Sequence, residues 1–254
     1  ALKRLKLKSK IVFAGDIDPH VKDAYFANYN INQEDWHDDV TEFSAKKYRG
    51  KVDLLVGGSP CQSFSMAGRR GGLDDARGTL FYDFIRVVQE SNPKIFIFEN
   101  VRGVINHDGG NTWRVMKDIF NSLSNYSWTF KILNSADYGM PQSRNRLFVV
   151  GIRKVVKGLR NVNKPFLFPQ PISLNKTMQD FLEDHIDSSY YIGEKGVKFV
   201  TKIQNQRKHY TQVNGQIALC QKANQQTNWH GDFIFEKVEN KLNVLTKCLC
   251  RMGH

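Results

Sequence analysis

The stretch GGSPCQSFS, residues 57–65, places a single cysteine, Cys61, shortly after the apolar run VDLLV. A structural cysteine is usually buried among apolar neighbours. Cys61 instead lies on a Gly-, Pro- and Ser-rich turn where a predicted strand ends, and that position favours a reactive thiol. The stretch alone leaves open the alternative of an inert loop cysteine.

Several polar residues directly follow other predicted strands. In an open α/β sheet, ligands bind outside the carboxyl ends of the strands, so such residues are candidates for a site. They are Asp16, Asp18, Asp39, residues 59–62 and residues 99–101. A carboxylate after an early strand is well placed to hold ribose hydroxyls. Each of these residues taken alone assigns no function.

Strand and helix patterns alternate along the chain as far as Arg153. Strands are predicted at 11–15, 52–57, 94–100, 129–135 and 146–152, and helices at about 21–28, 79–91 and 113–123. This alternation predicts βαβ units and a mainly parallel sheet. A Pro-punctuated connection then predicts a boundary within 163–174, which gives a first domain of residues 1–165 and a second of residues 166–254.

The chain is strongly basic, with a formal charge of +12 and a sequence pI of about 9.5. Neutralisation of phosphates by Lys and Arg drives binding to nucleic acid, so a polyanionic partner fits this charge. A generally basic surface is the alternative. The apolar runs are too short to span a bilayer and no secretory leader opens the sequence, so we expect a cytosolic protein without a membrane partner.

The four cysteines are Cys61, Cys220, Cys248 and Cys250, too few and too unevenly placed for a disulfide framework. We therefore expect reduced thiols. Cys248 and Cys250, with His254 nearby, leave a metal site as an alternative, but no second pair lies at zinc-ligand spacing. The sequence predicts no metal.

Several motifs occur in order between about Lys10 and Ile152: AGDIDP, DDVT, GGSPCQSFS, MAGRRGGLDDARGTLF, FENVRG and LNSADYGMPQSRNRLFVVG. Together they resemble the DNA (cytosine-5)-methyltransferase family of prokaryotic type. The resemblance implies an α/β fold with a Rossmann-like, S-adenosylmethionine-dependent methyltransferase sheet, and a smaller, mainly β target recognition domain. It also implies methyl transfer from S-adenosylmethionine to carbon 5 of cytosine in a specific duplex DNA sequence.

The resemblance also implies catalytic roles. Cys61 matches the nucleophile, whose thiolate adds to carbon 6 of the base. Glu99 matches the residue that contacts ring nitrogen 3 and the exocyclic amine, although a strand-end glutamate paired to a surface lysine is the alternative. Arg146 is expected beside the base and the thiol, with Arg144 in the same pocket. The spacing of Gln142, Arg144 and Arg146 predicts that all three face one side of a strand.

The matched cofactor positions lie at the predicted strand ends. The resemblance implies Asp16 at the ribose hydroxyls, Ile17 against the adenine face, Asp39 at the adenine amine with Val40 beside it, and Pro60 and Leu80 near the methionine moiety. Some relatives have an aromatic residue where this chain has Ile17. Adenine would therefore pack on an aliphatic side chain here.

A cytosine inside a duplex cannot reach a thiol, so the base must flip out. The segment after Cys61 offers Gly68, Gly71, Gly72 and Gly78 as hinges, and its expected DNA contacts are Gln62, Ser65, Arg69, Arg70 and Arg77. In the second domain, polar candidates for reading base edges are Arg207, Lys208, Gln221, Lys222, Gln225, Gln226 and residues 245–247. No recognition sequence follows from them.

Two family elements are absent. An FxGxG turn normally precedes the strand that starts at Lys10, and VLTKCLCRMGH resembles the segment before the family's last motifs. The missing first strand is central in a doubly wound sheet, so we expect an unpaired gap between the strands at 11–15 and 52–57. The simplest interpretation is an excerpt of a longer enzyme, with an incomplete recognition domain, and a split enzyme is the second.

The expected partner is duplex DNA, with a cognate restriction endonuclease as a functional partner and a monomer as the oligomeric state. The rival hypothesis is a DNA-binding protein without catalysis. The sequence leaves the source and the presence of an endonuclease open.

Overall fold

The computed structural model describes residues 2, 4–60, 80–155, 166–183, 191–220, 229–238 and 241–246, with 236–238 and 241–246 described through their backbone alone. The packing of the chain divides it into two units. The first comprises residues 1–132 and 146–168, and the second comprises residues 133–145 and 169–254. Residues 133–145, which the sequence analysis places in the first domain, thus pack with the second unit.

The first unit begins with a short parallel sheet. Its strands are β1 (Ala14–Gly15) and β2 (Trp36–His37), and helix α1 (Pro19–Asn28) lies between them in the chain. Asp18 caps α1 by accepting the His20 N–H at 2.8 Å, and Pro19 occupies the first turn, where its missing N–H costs nothing. The strand, turn and helix predicted here are confirmed, with a shorter strand than expected.

A four-stranded sheet follows. Its strands are β3 (Leu54–Gly58), β4 (Ile95–Val101), β5 (Tyr126–Asn134) and β6 (Asn145–Arg153), in the spatial order β3-β4-β6-β5. β3 and β4 are parallel, whereas β6 runs antiparallel to β4. The sheet is therefore mixed where the sequence predicts a mainly parallel one. The reason is that residues 135–144, between β5 and β6, are too few for the crossover helix that a parallel neighbour needs.

Two helices, α2 (Leu80–Ser91) and α3 (Asn111–Ser122), pack on β4 through aromatic rings. Phe96 and Phe98 are alternate residues of β4, so they share one face of the sheet, and both are fully buried. The Phe98 ring centroid lies 5.0 Å from Phe84 and 5.4 Å from Phe81 of α2, and 5.9 Å from Phe120 of α3. This aromatic core fixes α2 and α3 against β4.

Short 3-10 turns connect the larger elements. They are Gln33–Asp35, Lys46–Tyr48, Arg102–Ile105, His107–Gly110, Ser135–Asp137 and Met178–Phe181. None of the helices in the described part of the chain combines the length and apolar character needed to cross a membrane.

The outer edge of β3 is open along the described residues. In the described part of the chain, no strand pairs with β3 on the side away from β4. Strands β1 and β2 form a separate sheet. Val56, in the middle of β3, is 62% exposed. β3 is therefore an edge strand of its sheet in the part of the chain that the structure describes, and the gap between the first two predicted strands stays a prediction.

The second unit contains a three-stranded sheet. Helices α4 (Glu194–Val200) and α5 (Ile203–Arg207) precede strands β7 (Thr211–Val213), β8 (Gly231–Val238) and β9 (Lys241–Thr246). β8 is parallel to β7 and antiparallel to β9. Val200 and Phe233 form one small buried cluster, and Met178 and Ala218 form another. This unit thus combines two short helices with a β-sheet, where the sequence analysis expects a mainly β domain.

Asp232 is a buried carboxylate in this sheet, with 8% of the residue exposed. Its Oδ2 accepts the Leu219 N–H at 3.0 Å and its Oδ1 accepts Gln212 Nε2 at 2.8 Å. Burial raises the pKa of Asp232 from the ordinary 3.8 to about 6, and the two hydrogen bonds only partly offset this effect. Because the folded protein favours the protonated carboxyl, Asp232 destabilises the fold increasingly as the pH rises from about 4 to about 6.

Asp232→Asn should remove this pH dependence. Asparagine keeps an oxygen that can accept both N–H donors and carries no charge to desolvate. The free energy of unfolding of the variant, relative to that of the native protein, should therefore rise by up to about 3 kcal/mol between pH 4 and pH 8. Urea unfolding of both proteins at several pH values measures this difference.

Asp180→Asn is the matched control. The exposed Asp180 carboxylate accepts the Thr177 N–H and hydroxyl, and these bonds lower the pKa of Asp180. Because the pKa of Asp180 is lowered in the folded protein, the ionised carboxylate stabilises the fold at neutral pH. Asp180→Asn should therefore lower the free energy of unfolding at neutral pH, whereas Asp232→Asn should raise it. An unchanged pH profile in Asp232→Asn would contradict the burial argument.

Candidate active site

Gly58 and Glu99 face each other where β3 and β4 end, paired by the parallel register. A Cβ at Gly58 would lie 2.8 Å from the Glu99 carbonyl oxygen and 3.2 Å from its carboxylate Oε2. Gly57 is restricted in a similar way, since a Cβ there would lie 2.9 Å from the Phe84 ring of α2. The two glycines before Ser59 therefore let β3 approach both β4 and α2 closely.

Glu99 forms an ion pair with Arg146, whose Nε lies 2.8 Å from Glu99 Oε1. The β4–β6 register places Arg146 opposite Val101, so Arg146 and Glu99 share one face of the sheet. The Arg146 side chain is 17% exposed and that of Glu99 is 38% exposed, which leaves the carboxylate accessible to a ligand. Glu99 is thus paired with the predicted site arginine and not with a surface lysine.

Asn100 ties the end of β4 to the turn after β3. Its Nδ2 donates to the Ser59 carbonyl at 3.0 Å, and its Oδ1 accepts the Val101 N–H at 2.8 Å. Asn100 and Ser59 are both buried. Through these contacts, Asn100 orders the chain at Ser59, where β3 has ended.

The predicted nucleophile Cys61 lies outside the described residues, and so do the predicted DNA contacts Gln62, Ser65, Arg69, Arg70 and Arg77. The hinge glycines and residues 221–228 of the second unit lie outside them as well. The described chain reaches Pro60, which is exposed, and continues from Leu80, the partly buried first residue of α2. Both are predicted neighbours of the methionine moiety.

Arg144 belongs to the second unit. Its N–H donates to Asn134 Oδ1 at 2.9 Å, and its Nη1 donates to Cys220 Sγ at 3.5 Å. A role for Arg144 in the base pocket remains a prediction from the resemblance.

The segment before β6 is not part of the strand. β6 begins at Asn145, so Gln142 and Arg144 precede it and only Arg146 of the predicted trio lies within it. The cause is a competing pairing, because Gln142 forms an isolated bridge with Ala218 and the Ser143 N–H donates to the Ala218 carbonyl at 2.8 Å. Alternation along residues 142–146 therefore does not describe one strand face.

Asp16 and Ile17 follow β1. A Cβ at Gly15 would collide with the His37 carbonyl of β2, so glycine is needed for the close approach of these strands. Asp16 Oδ1 accepts the Asp18 N–H at 3.0 Å, which orders the turn, and Ile17 is 78% exposed. An exposed aliphatic side chain beside an exposed carboxylate fits an adenosine group, which needs an apolar contact for its base and acceptors for its ribose hydroxyls.

Asp39 and Val40 follow β2, the parallel neighbour of β1, so they emerge at the same sheet end as Asp16. Asp39 Oδ1 accepts the N–H and the hydroxyl of Thr41, each at 2.8 Å. These hydrogen bonds lower the pKa of Asp39. An aspartate carboxylate is an acceptor suited to an exocyclic amine of adenine.

Two residues of α2 that the sequence analysis does not single out contact the loop that carries Asp39. Arg86 donates to the carbonyls of Val40 and Phe43, and Glu90 accepts the Ala45 N–H. In a helical pattern, an arginine and a glutamate four residues apart indicate an exposed ion pair. This spacing does not predict contacts between α2 and a loop that is distant in the sequence.

Among the residues with described side chains, no group of His, Cys, Asp and Glu has an arrangement that could hold a metal ion. Cys248, Cys250 and His254 lie outside them.

Asn100→Ala should destabilise the protein by about 1–3 kcal/mol, because it leaves the buried Ser59 carbonyl and the Val101 N–H without their side-chain partner. Asn100→Asp should be at least as damaging, since a carboxylate cannot donate to the Ser59 carbonyl. Asn111→Ala, at an exposed asparagine of α3, is the control and should change stability by less than about 0.5 kcal/mol. Urea unfolding measures all three, and equal effects of the two alanine variants would refute the role of Asn100.

The chain is similar in sequence to phage and bacterial methyltransferases. It is 35% identical over 217 residues to the orphan methyltransferase M.SPRI of Bacillus phage SPR, a match that covers 76% of this chain and 49% of that protein. It is 37% identical over 182 residues to the type II methyltransferase M.HhaI of Haemophilus parahaemolyticus, covering 70% of this chain and 53% of that one. The chain thus spans about half the length of these relatives.

The fold is similar to that of two solved structures. A DNMT2 mutant from Spodoptera frugiperda matches with a TM-score of 0.66 at 19% identity, over 93% of this chain and 70% of that one. The S. pombe Dnmt2 methyltransferase matches with a TM-score of 0.66 at 21% identity, over 94% of this chain and 73% of that one. These likenesses concern the fold alone, which is Rossmann-like. The family model of the C-5 cytosine-specific DNA methylases matches residues 1–246, and the chain belongs to this family.

Proposed function

We propose that this protein transfers a methyl group from S-adenosylmethionine to carbon 5 of cytosine in a specific duplex DNA sequence. The observation that carries the proposal is the 2.8 Å pair of Glu99 and Arg146, at the end of the strand that neighbours the one leading to Cys61. A carboxylate held by an arginine offers a base a group that can share a proton. Membership of the cytosine-specific DNA methylase family supports the same reaction.

Carbon 5 of cytosine is a poor nucleophile, so the base must be activated. We assign activation to the Cys61 thiolate, which adds to carbon 6 and gives carbon 5 the character of an enamine. After methyl transfer, loss of the carbon 5 proton to a base and elimination of the thiolate from carbon 6 restore the aromatic ring and free Cys61. Glu99 shares a proton with ring nitrogen 3 during this attack and accepts a hydrogen bond from the exocyclic amine. Arg146 orients the Glu99 carboxylate. Arg144 is proposed as a catalytic residue on the resemblance alone.

S-adenosylmethionine supplies the methyl group. The residues proposed to hold it follow the strand ends and the catalytic turn, and they are Asp16, Ile17, Asp39, Val40, Pro60 and Leu80. The exposure of Ile17, and the position of Asp39 at the same sheet end as Asp16, support their assignment to the adenine ring.

The DNA substrate requires base flipping, because a stacked cytosine cannot reach a thiol. We expect Gln62, Ser65, Arg69, Arg70 and Arg77 to contact the DNA around the flipped base. The second unit is proposed to read base edges, with Arg207 and Lys208 among its basic residues. The net charge of +12 supports a duplex DNA partner.

A type II relative supports a cognate restriction endonuclease as a functional partner. We propose that the protein acts on DNA as a monomer in the cytoplasm.

Cys61→Ser should abolish methyl transfer and leave DNA binding largely intact, because serine has nearly the same size but no comparable nucleophile. Transfer of labelled methyl groups to mixed-sequence DNA measures activity, and a gel shift measures binding. Cys220→Ser is the control, since it keeps an acceptor for Arg144 Nη1 and should remain active. Full activity of Cys61→Ser would refute the proposed role of the Cys61 thiolate.

A mechanism-based base analogue separates the enzyme from a DNA-binding protein without catalysis. With S-adenosylmethionine present, DNA that contains 5-fluorocytosine should become covalently attached to Cys61 of the native protein and not to Cys61→Ser. Peptide mapping of the adduct locates the attachment. Binding of this DNA without any adduct would favour the non-catalytic alternative.

Glu99→Gln should lower the rate of methyl transfer by about 100-fold or more with little effect on stability, because glutamine keeps an oxygen for Arg146 but cannot share a proton. Asp53→Asn is a matched control at the other end of the same strand pair, where Asp53 lies 2.6 Å from Lys94 on the surface. The control should retain its activity. Similar losses in both variants would argue against a catalytic role for Glu99.

A further inference from the structure

The loop that follows β2, residues 39–45, carries the two proposed adenine-contacting residues Asp39 and Val40. This 39–45 loop contains neither helix nor strand. Its conformation therefore depends on contacts that other elements make with it, and α2 supplies several of them.

Arg86 of α2 bonds both halves of the 39–45 loop. Its Nη2 donates to the Val40 carbonyl at 2.5 Å, and its Nη1 donates to the Phe43 carbonyl at 2.6 Å. Nη2 also lies 3.0 Å from Asp83 Oδ1, one turn earlier on the helix. With 32% of its side chain exposed, the guanidinium is partly withdrawn from water, and these oxygens replace the lost solvent contacts.

Glu90, one turn after Arg86, bonds the end of the same loop. Its Oε2 accepts the Ala45 N–H at 2.6 Å and the Ser44 hydroxyl at 3.3 Å. Arg86 Nη1 lies 3.5 Å from this oxygen, so the two side chains act on the loop as one connected pair. The Glu90 side chain is 14% exposed, and Ala45 itself is fully buried.

Helix α2 is a fixed support for this loop because its other face is part of the aromatic core. Phe81 and Val88 are fully buried, and the Phe84 ring packs on Gly57 of β3. The Arg86 and Glu90 side chains therefore hold the 39–45 loop in a defined position relative to the strand that leads to Ser59.

We propose that Arg86 and Glu90 are positioning residues for S-adenosylmethionine, which hold the 39–45 loop in the conformation that presents Asp39 and Val40 to the adenine ring. The inference rests on the proposed role of Asp39. Arg86 bonds the carbonyl of Val40, the residue directly after Asp39, so a loss of this bond releases the backbone that orients the Asp39 carboxylate. Both residues act through the loop and not by contact with the cofactor.

Arginine is required at position 86 for a geometric reason. Its planar group donates in several fixed directions at once and so reaches the two loop carbonyls and Asp83 together. A lysine carries the same charge as a single ammonium group at the end of a flexible chain. Arg86→Lys therefore tests the geometry of the loop without changing the net charge of the protein.

In the full-length protein, Arg86→Lys should weaken the binding of S-adenosylhomocysteine, the product form of the cofactor, by about 10-fold or more. Isothermal titration calorimetry without DNA measures this affinity independently of turnover. The KM for S-adenosylmethionine should rise by a similar factor. At saturating cofactor, kcat should stay within about 2-fold, because the loop contacts lie outside the groups proposed to activate the base.

Arg49→Lys is the matched control. Arg49 Nη1 donates to the carbonyls of Gln89 and Glu90 at 2.9 and 3.3 Å, so this substitution perturbs an arginine contact with α2 but leaves the 39–45 loop bonds in place. It should bind S-adenosylhomocysteine like the native protein. At position 90, Glu90→Gln keeps an acceptor for the Ala45 N–H and should bind nearly normally, whereas Glu90→Ala should show the weaker binding.

Asp39→Ala separates this inference from the proposed function. Normal binding of S-adenosylhomocysteine by Asp39→Ala would refute the role of Asp39 and the inference with it. Weak binding by Asp39→Ala, with normal binding by Arg86→Lys and Glu90→Ala, would overturn only the positioning role. Thermal unfolding of each variant completes the test, because a loss of stability with unchanged affinity would show that Arg86 and Glu90 serve the fold alone.

Discussion

The close parallel pairing of β3 with β4 is the constraint on which the candidate active site depends. Because Gly58 lacks a side chain, the Glu99 carbonyl and carboxylate can lie against β3, and Arg146 reaches Glu99 from the next strand. A one-residue slip in register would turn Glu99 to the opposite face of the sheet. Phe96 and Phe98 resist such a slip, because they alternate with Glu99 and must remain in the aromatic core.

Hydrophobic periodicity predicts most of the strands and helices of the first unit correctly. The apolar run at 95–98 predicts a strand, and the helical spacing over Leu80–Ser91 predicts a helix with one buried face. Because the run is apolar on both faces, the structure and not the sequence shows that Phe96 and Phe98 face the core. Periodicity carries no information on strand direction, so the antiparallel β6 is not predicted. It also cannot reveal that Gln142 and Ser143 pair with Ala218, because that partner is distant in the chain.

For the candidate site, too, the local sequence predicts the identity of some residues but not the contacts between them. Motifs identify Glu99 and Arg146 separately, since each lies in a recognisable stretch, but the 2.8 Å contact between them depends on the β4–β6 register. The sequence does not reveal the role of Arg86 and Glu90, because their spacing is typical of solvated ion pairs on helices. Their contacts with the 39–45 loop follow from the packing of α2, which only the folded chain defines.

Helix α2 connects two regions that are otherwise remote in the sequence. It begins at Leu80, directly after the segment 61–79, and its second and last turns carry Arg86 and Glu90. A helix of twelve residues is a stiff rod about 18 Å long, so a displacement of one end is transmitted to the other. If a ligand bound in one of these regions changes the affinity for a ligand in the other, thermodynamic reciprocity requires the coupling free energy to be equal in both directions.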